Sequence, residues 1–111
     1  MRFNMEIERG VCVITLAGEY LDAGNTREFM ETAGPLLDKH DRVLLDLSKL
    51  RFVDSSGLGA LLSCLRRLNE KGGAMKLCGM TEQVKALFDL VHINRLFDVY
   101  ETRQEGIGAF G

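Results

Sequence analysis

Apolar and polar positions along the chain change period several times, and each change marks an element. Phe3, Met5 and Ile7 alternate with polar residues, Arg9-Gly10 reads as a turn, and Val11 to Ala17 is apolar except for Thr15. That pattern predicts an antiparallel hairpin. Gly18 to Asn25 reads as a loop, with Asn25 or Thr26 as the cap of a helix carrying Phe29, Met30, Ala33, Leu36 and Leu37 at helical spacing. Pro35 falls inside that helix and is expected to kink or split it, because it removes one backbone bond and crowds the preceding turn. Val43–Leu47 is a short, nearly continuous apolar run of the kind a buried strand shows. Leu58, Leu61, Leu62, Leu65 and Leu68 then fall on one face of a helix expected from about Ser56 to Lys71, which Gly72-Gly73 ends. Ala74 to Cys78 is a further strand, and Thr81 caps a helix carrying Val84, Leu87, Phe88 and Val91. Leu96 to Tyr100 reads as a last strand and Glu101 to Phe110 as a terminal helix.

After the hairpin, helix and strand alternate, which implies right-handed crossovers and a mostly parallel central sheet. The expected fold is therefore α/β: one domain over residues 1–111, a mixed, mostly parallel sheet with an N-terminal hairpin, and about four helices. A chain of 111 residues with 46% apolar residues, no Trp and one Pro can build one core without staples. The net charge of −2, with no basic run longer than Arg66-Arg67, argues against a nucleic-acid surface. Cys12, Cys64 and Cys78 are odd in number and have no C-x-x-C spacing, so they read as core residues of a cytoplasmic protein. Met1 to Arg9 has no apolar segment that would make a signal peptide, and no run approaches the length of a membrane span.

The chemistry concentrates in Asp54-Ser55-Ser56-Gly57-Leu58-Gly59, between the second predicted strand region and the leucine-striped helix. Two hydroxyls stand where a helix offers free N–H groups and the positive end of its dipole, a place that favours an anion such as a phosphate ester. Ser55 is expected just outside the helix with a projecting hydroxyl, and Ser56 as the residue whose oxygen caps it. Gly57, Gly59 and Ala60 open the helix with little bulk, so its start can lie close to the sheet or to a partner. No catalytic constellation accompanies the serines. Val53-Asp54-Ser55-Ser56-Gly57 has no glycine before the serine, as a nucleophile elbow would need, and the two histidines, His40 and His92, sit at predicted helix ends. There is no phosphate loop, and Gly57-Leu58-Gly59 lacks the third glycine of a dinucleotide fingerprint. The sequence thus calls for no cofactor, no metal and no enzymatic activity.

Leu45-Asp46-Leu47-Ser48-Lys49-Leu50-Arg51-Phe52-Val53, continuing into Asp54-Ser55-Ser56-Gly57-Leu58-Gly59, resembles the core motif of STAS domains, and most of all the bacterial anti-sigma factor antagonists. Leu16-Ala17-Gly18-Glu19 followed by Asp22 resembles the early G-E-L-D loop of that family, with Tyr20 as an extra residue. Gly72-Gly73-Ala74-Met75 and Val84-Lys85-Ala86-Leu87-Phe88-Asp89 resemble its later strand and helix. The resemblance implies that Ser55 is a phosphoacceptor. It also implies a partner-switching cycle: the unphosphorylated protein binds an anti-sigma factor that is a serine kinase of the GHKL type, phosphorylation of Ser55 breaks the complex, and a PP2C-type phosphatase resets it. The expected docking surface is Asp22, Asp54, Ser55, Ser56, Gly57, Leu58 and Gly59, extended along the helix by Ser63, Arg66 and Arg67, which lie off the leucine stripe. The alternatives are a STAS scaffolding subunit of a membrane-associated transport complex and a weak nucleotide-binding domain.

Overall fold

The computed structural model describes residues 2–111. Its elements in chain order are β1 (Phe3–Glu8), β2 (Val11–Leu16), β3 (Tyr20–Leu21), α1 (Thr26–Lys39), β4 (Arg42–Asp46), β5 (Phe52–Val53), α2 (Ser55–Glu70), β6 (Ala74–Cys78), α3 (Glu82–Leu90), β7 (Asp98–Tyr100) and α4 (Arg103–Gly108). Five strands form a mixed sheet in the order β1-β2-β4-β6-β7, in which only the β1–β2 pair is antiparallel. The hairpin turns through Arg9 and Gly10, both with positive φ (53° and 77°), the geometry that matches the twist of the two strands.

Alternation along the inner strands sorts two cores. Cys12, Ile14 and Leu16 of β2, Val43 and Leu45 of β4, and Leu77 of β6 pack with Phe29, Leu37, Leu61, Leu68 and Phe88 from α1, α2 and α3. Val11, Val13, Leu44 and Cys78 point the other way and are covered by Ile107 of α4. A strand buried on both faces reads as a continuous apolar run, which is why β2 and β4 stand out in the sequence.

Three expectations need correction. Pro35 does not split α1, which runs unbroken from Thr26 to Lys39. Pro35 and Glu31 are both exposed, so the carbonyl that loses its partner faces water. The loop expected over Gly18–Asn25 contains β3, which pairs parallel with β5 in a small second sheet, Tyr20 opposite Phe52 and Leu21 opposite Val53. The last strand begins at Asp98, two residues later than the apolar run suggests, because Leu96 is exposed and Phe97 is buried before pairing starts.

Candidate functional site

The β3–β5 pair brings two distant stretches of chain together. Arg51 and Phe52 donate their backbone N–H groups to the Glu19 carbonyl at 2.7 and 3.2 Å, and Asp54 donates to the Leu21 carbonyl at 3.2 Å. The loop after β3 is folded on itself. Asp22 accepts from the Gly24 N–H at 2.9 Å, and Asn25 accepts from the Asp22 N–H at 2.9 Å while donating to the Tyr20 carbonyl. Asn25 thus braces the loop and makes no capping bond to α1.

Asp54 joins this loop to α2. Its Oδ1 accepts from the Gly57 N–H at 2.8 Å and its Oδ2 from the Ala23 N–H at 3.0 Å. The helix cap is therefore Asp54, and the expectation that Ser56 caps is corrected: Ser55 and Ser56 are the first two residues of α2. A carboxylate two bonds from its backbone reaches the third amide of the helix as well as a serine does, and it brings a full charge to the positive end of the dipole. The Gly57 N–H, followed by the Ala23 and Ser56 amides, holds the Asp54 carboxyl below its usual range, so it is ionised at neutral pH. Ser55 and Ser56 are exposed, and neither hydroxyl is used by another group among the described residues.

Gly57 and Leu58 are buried. A Cβ at Gly57 would strike the Leu21 carbonyl oxygen and stand 2.7 Å from Val53 Cγ1, so the close approach made possible at this residue is to β3 and β5. Gly59 is exposed, with nothing within 4 Å of its Cβ position. Ser63 and Arg66 are exposed farther along α2. Arg66 borders a groove of about 410 Å³ with Leu62, Leu65 and Leu96. Leu62 and Leu65, expected in the core, are only partly buried; Ala60 and Cys64 take their share of the buried face.

Arg67 departs from its expected role as a free docking residue. It grips Asp38 of α1 with two bonds, Nε to Oδ1 at 2.9 Å and Nη2 to Oδ2 at 2.7 Å, and its guanidinium lies over Gly34. Both partners are about half-exposed, at 42% and 57%, which puts the pair near the upper end of what a surface ion pair contributes. Arg67→Glu is expected to cost about 1 kcal/mol in urea denaturation, and Arg66→Glu to stay within about 0.5 kcal/mol. Equal effects from the two variants would show that the α1–α2 clamp has no energetic weight.

Sequence reading missed Tyr20 and Phe52. They are register partners on the small sheet, 53% and 55% exposed, one residue before Leu21 and two before Asp54. Each strand has only two residues, one out and one in, so no periodicity could announce them. The other chemistry-bearing groups are remote from a reactive role. Burial pushes the Cys64 and Cys78 thiols up to about 12, and raises Cys12 as well. A larger cavity of about 820 Å³, lined by Glu82, Lys85, Asp89, Asn94 and Tyr100 among others, shares no residue with the 54–59 segment. Among the described residues no helix is long and apolar enough to cross a membrane, and no cluster of His, Cys, Asp or Glu is placed to hold a metal.

Known proteins match this chain along nearly its whole length. The anti-sigma F factor antagonist of Paenibacillus polymyxa is 29% identical over 102 residues, covering 91% of this chain and 87% of that protein. A solved STAS domain protein from Planctomyces limnophilus superposes with a TM-score of 0.87 at 24% identity, covering 96% of each chain. The Bacillus cell fate determinant SpoIIAA, solved in its phosphorylated form, gives 0.73 at 22% identity over 99% of this chain and 100% of its own. The family model for the STAS domain matches residues 2–106, and this chain belongs to that family.

Proposed function

We propose that this protein is an anti-sigma factor antagonist whose binding is switched by phosphorylation of Ser55. The observation that carries the reading is the state of the α2 start. Asp54 does the capping and stays charged, which leaves an exposed serine hydroxyl uncommitted beside it. The likeness to the Paenibacillus antagonist supports the role, and SpoIIAA supplies an example of this fold in phosphorylated form. In this reading the partner is an anti-sigma factor that is itself a serine kinase of the GHKL type, and a PP2C-type phosphatase removes the phosphate. The chain acts as the kinase's substrate and supplies no catalytic residue. Its docking surface runs from Asp22, Tyr20 and Phe52 across Asp54, Ser55, Ser56 and Gly59 to Ser63 and Arg66. Gly57 and Leu58 support that surface from within, and Arg67 braces α2 against Asp38 of α1.

Because neither serine hydroxyl is used in capping, exposure does not distinguish Ser55 from Ser56. The choice of Ser55 rests on its place in the family motif. Phosphopeptide mapping after incubation with the cognate kinase and ATP is expected to find phosphate on Ser55 and to lose it in Ser55→Ala. Phosphate on Ser56 in the unaltered protein would overturn the assignment.

A further inference from the structure

β1 is an edge strand with an unusual amount of apolar surface. It pairs with β2 on one side only, and Met5 and Ile7 are 44% and 56% exposed. Bonding in the hairpin fixes which way its backbone groups point. Glu8 faces Val11 across the two-residue turn, and the Arg2 carbonyl accepts from the Ala17 N–H at 3.0 Å. The even-numbered residues therefore bond to β2, and Phe3, Met5 and Ile7 turn their N–H and C=O groups outward. The same three residues carry their side chains on the α1 side of the sheet, where Phe3 packs on Phe29 with ring centroids 5.6 Å apart. Natural edges are usually blunted by charged side chains, Pro or a bulge. β1, reading FNMEIE in unbroken register, has no Lys, Pro or bulge. Its charges, Glu6 and Glu8, lie on the face opposite Phe3, Met5 and Ile7, with Glu6 paired to Arg103 at 3.2 Å.

We propose that β1 pairs antiparallel with β1 of a second copy about a two-fold axis through Met5, making a homodimer with one continuous sheet. In that register Met5 faces Met5, Phe3 faces Ile7, Asn4 faces Glu6 and Arg2 faces Glu8. All three criteria for strand pairing agree here. The outward-bonding residues oppose one another, so each such pair exchanges both of its hydrogen bonds. Apolar side chains meet apolar ones on one face, and the opposite charges of Arg2 and Glu8 meet at both ends. An axis through Glu6 would set Glu6 against its own copy, and an axis through Asn4 would match only Phe3 with Met5 and Arg2 with Glu6 among the described residues, a shorter pairing. A slip of one residue would set outward backbone groups against inward ones and apolar side chains against polar. The surface is isologous, as a closed dimer requires. It shares no residue with the 54–59 segment, so the inference stands apart from the proposed switch.

Sedimentation equilibrium on the unaltered chain is expected to give a species of twice the chain mass that dissociates on dilution. Arg2→Glu and Glu8→Arg should each weaken the dimer tenfold or more, and the two together should restore it. Under mild oxidation Met5→Cys should form an interchain disulfide, since opposed residues that exchange both bonds lie about 5.5 Å apart between Cα atoms, within reach of the bond. Asn4→Cys should not cross-link. The native cysteines are all buried and leave this readout clean. A single-chain mass at every concentration, a charge swap that fails to restore pairing, or equal cross-linking at Asn4→Cys would each overturn the proposal.

Discussion

Gly57→Ala is expected to lose about 3 kcal/mol of folding stability, and Gly57→Val more, while both residues would be acceptable at an exposed helix start. The cause is backbone meeting backbone. The new Cβ would run into the Leu21 carbonyl oxygen and come within 2.7 Å of Val53 Cγ1, and neither can swing away as a flexible side chain could. Leu21 is held there twice, by its pairing opposite Val53 and by the Asp54 N–H that its carbonyl accepts at 3.2 Å. Relief therefore means parting β3 from α2 and with it the Asp54 bridge to Ala23. Gly59→Ala is the control two residues on. Its Cβ would meet nothing within 4 Å, and an exposed helical glycine replaced by alanine should gain about 0.5–1 kcal/mol. Urea denaturation of the two alanine variants separates the cases, and similar midpoints would show that α2 can lift off β3 at little cost. A loss of partner binding in Gly57→Val should then be read as a loss of fold.

The parts of this fold that were readable from sequence are those whose burial repeats over several residues. β2, β4 and β6 are each five or six residues long and dense with Val, Leu, Ile or Met, and their helices carry apolar stripes that end in Gly72 or begin after Thr81. The hairpin followed from Arg9-Gly10. What escaped was decided by single contacts. β3 and β5 exist because two backbone segments exchange a few bonds, and a two-residue strand has no period to detect. The cap of α2 could be either serine or the aspartate by residue type, and only the reach of Asp54 to both Gly57 and Ala23 singles it out. Arg67 lies off the leucine stripe as a solvent residue would, but Asp38 of α1 waits beside it, and no pattern within α2 can reveal a neighbour 29 residues away. The 54–59 string was legible as a site through its composition and its place in the chain, whereas the support beneath it was not.

Phosphorylation of Ser55 is expected to weaken binding of the anti-sigma partner by two to three orders of magnitude and to leave the fold nearly as stable as before. The added group brings about −1.5 to −2 charges to the first residue of α2. Asp54 is next to it, kept ionised by the Gly57 and Ala23 amides. The positive end of the helix is thus already engaged by a carboxylate, so the phosphate meets repulsion where a bare helix start would attract it. In the free protein Ser55 is exposed, and water and salt screen the two charges. In a complex that covers Ser55 the phosphate must be desolvated beside a like charge, and about 3–4 kcal/mol of lost affinity corresponds to the expected weakening. Ser55→Ala should bind permanently, at a stability cost below about 0.5 kcal/mol, because the hydroxyl caps nothing. Ser55→Asp should fold and bind poorly. Asp54→Asn supplies the decisive comparison, since its single amide oxygen can keep the capping bond from Gly57 while the charge is removed, at the loss of the Ala23 bond. The phosphorylated Asp54→Asn protein should recover part of the lost affinity, measured by titration calorimetry against the purified partner. Tight binding by the phosphorylated native protein would refute the switch itself. A phosphate penalty unchanged by Asp54→Asn would place the repulsion on the partner's side of the interface.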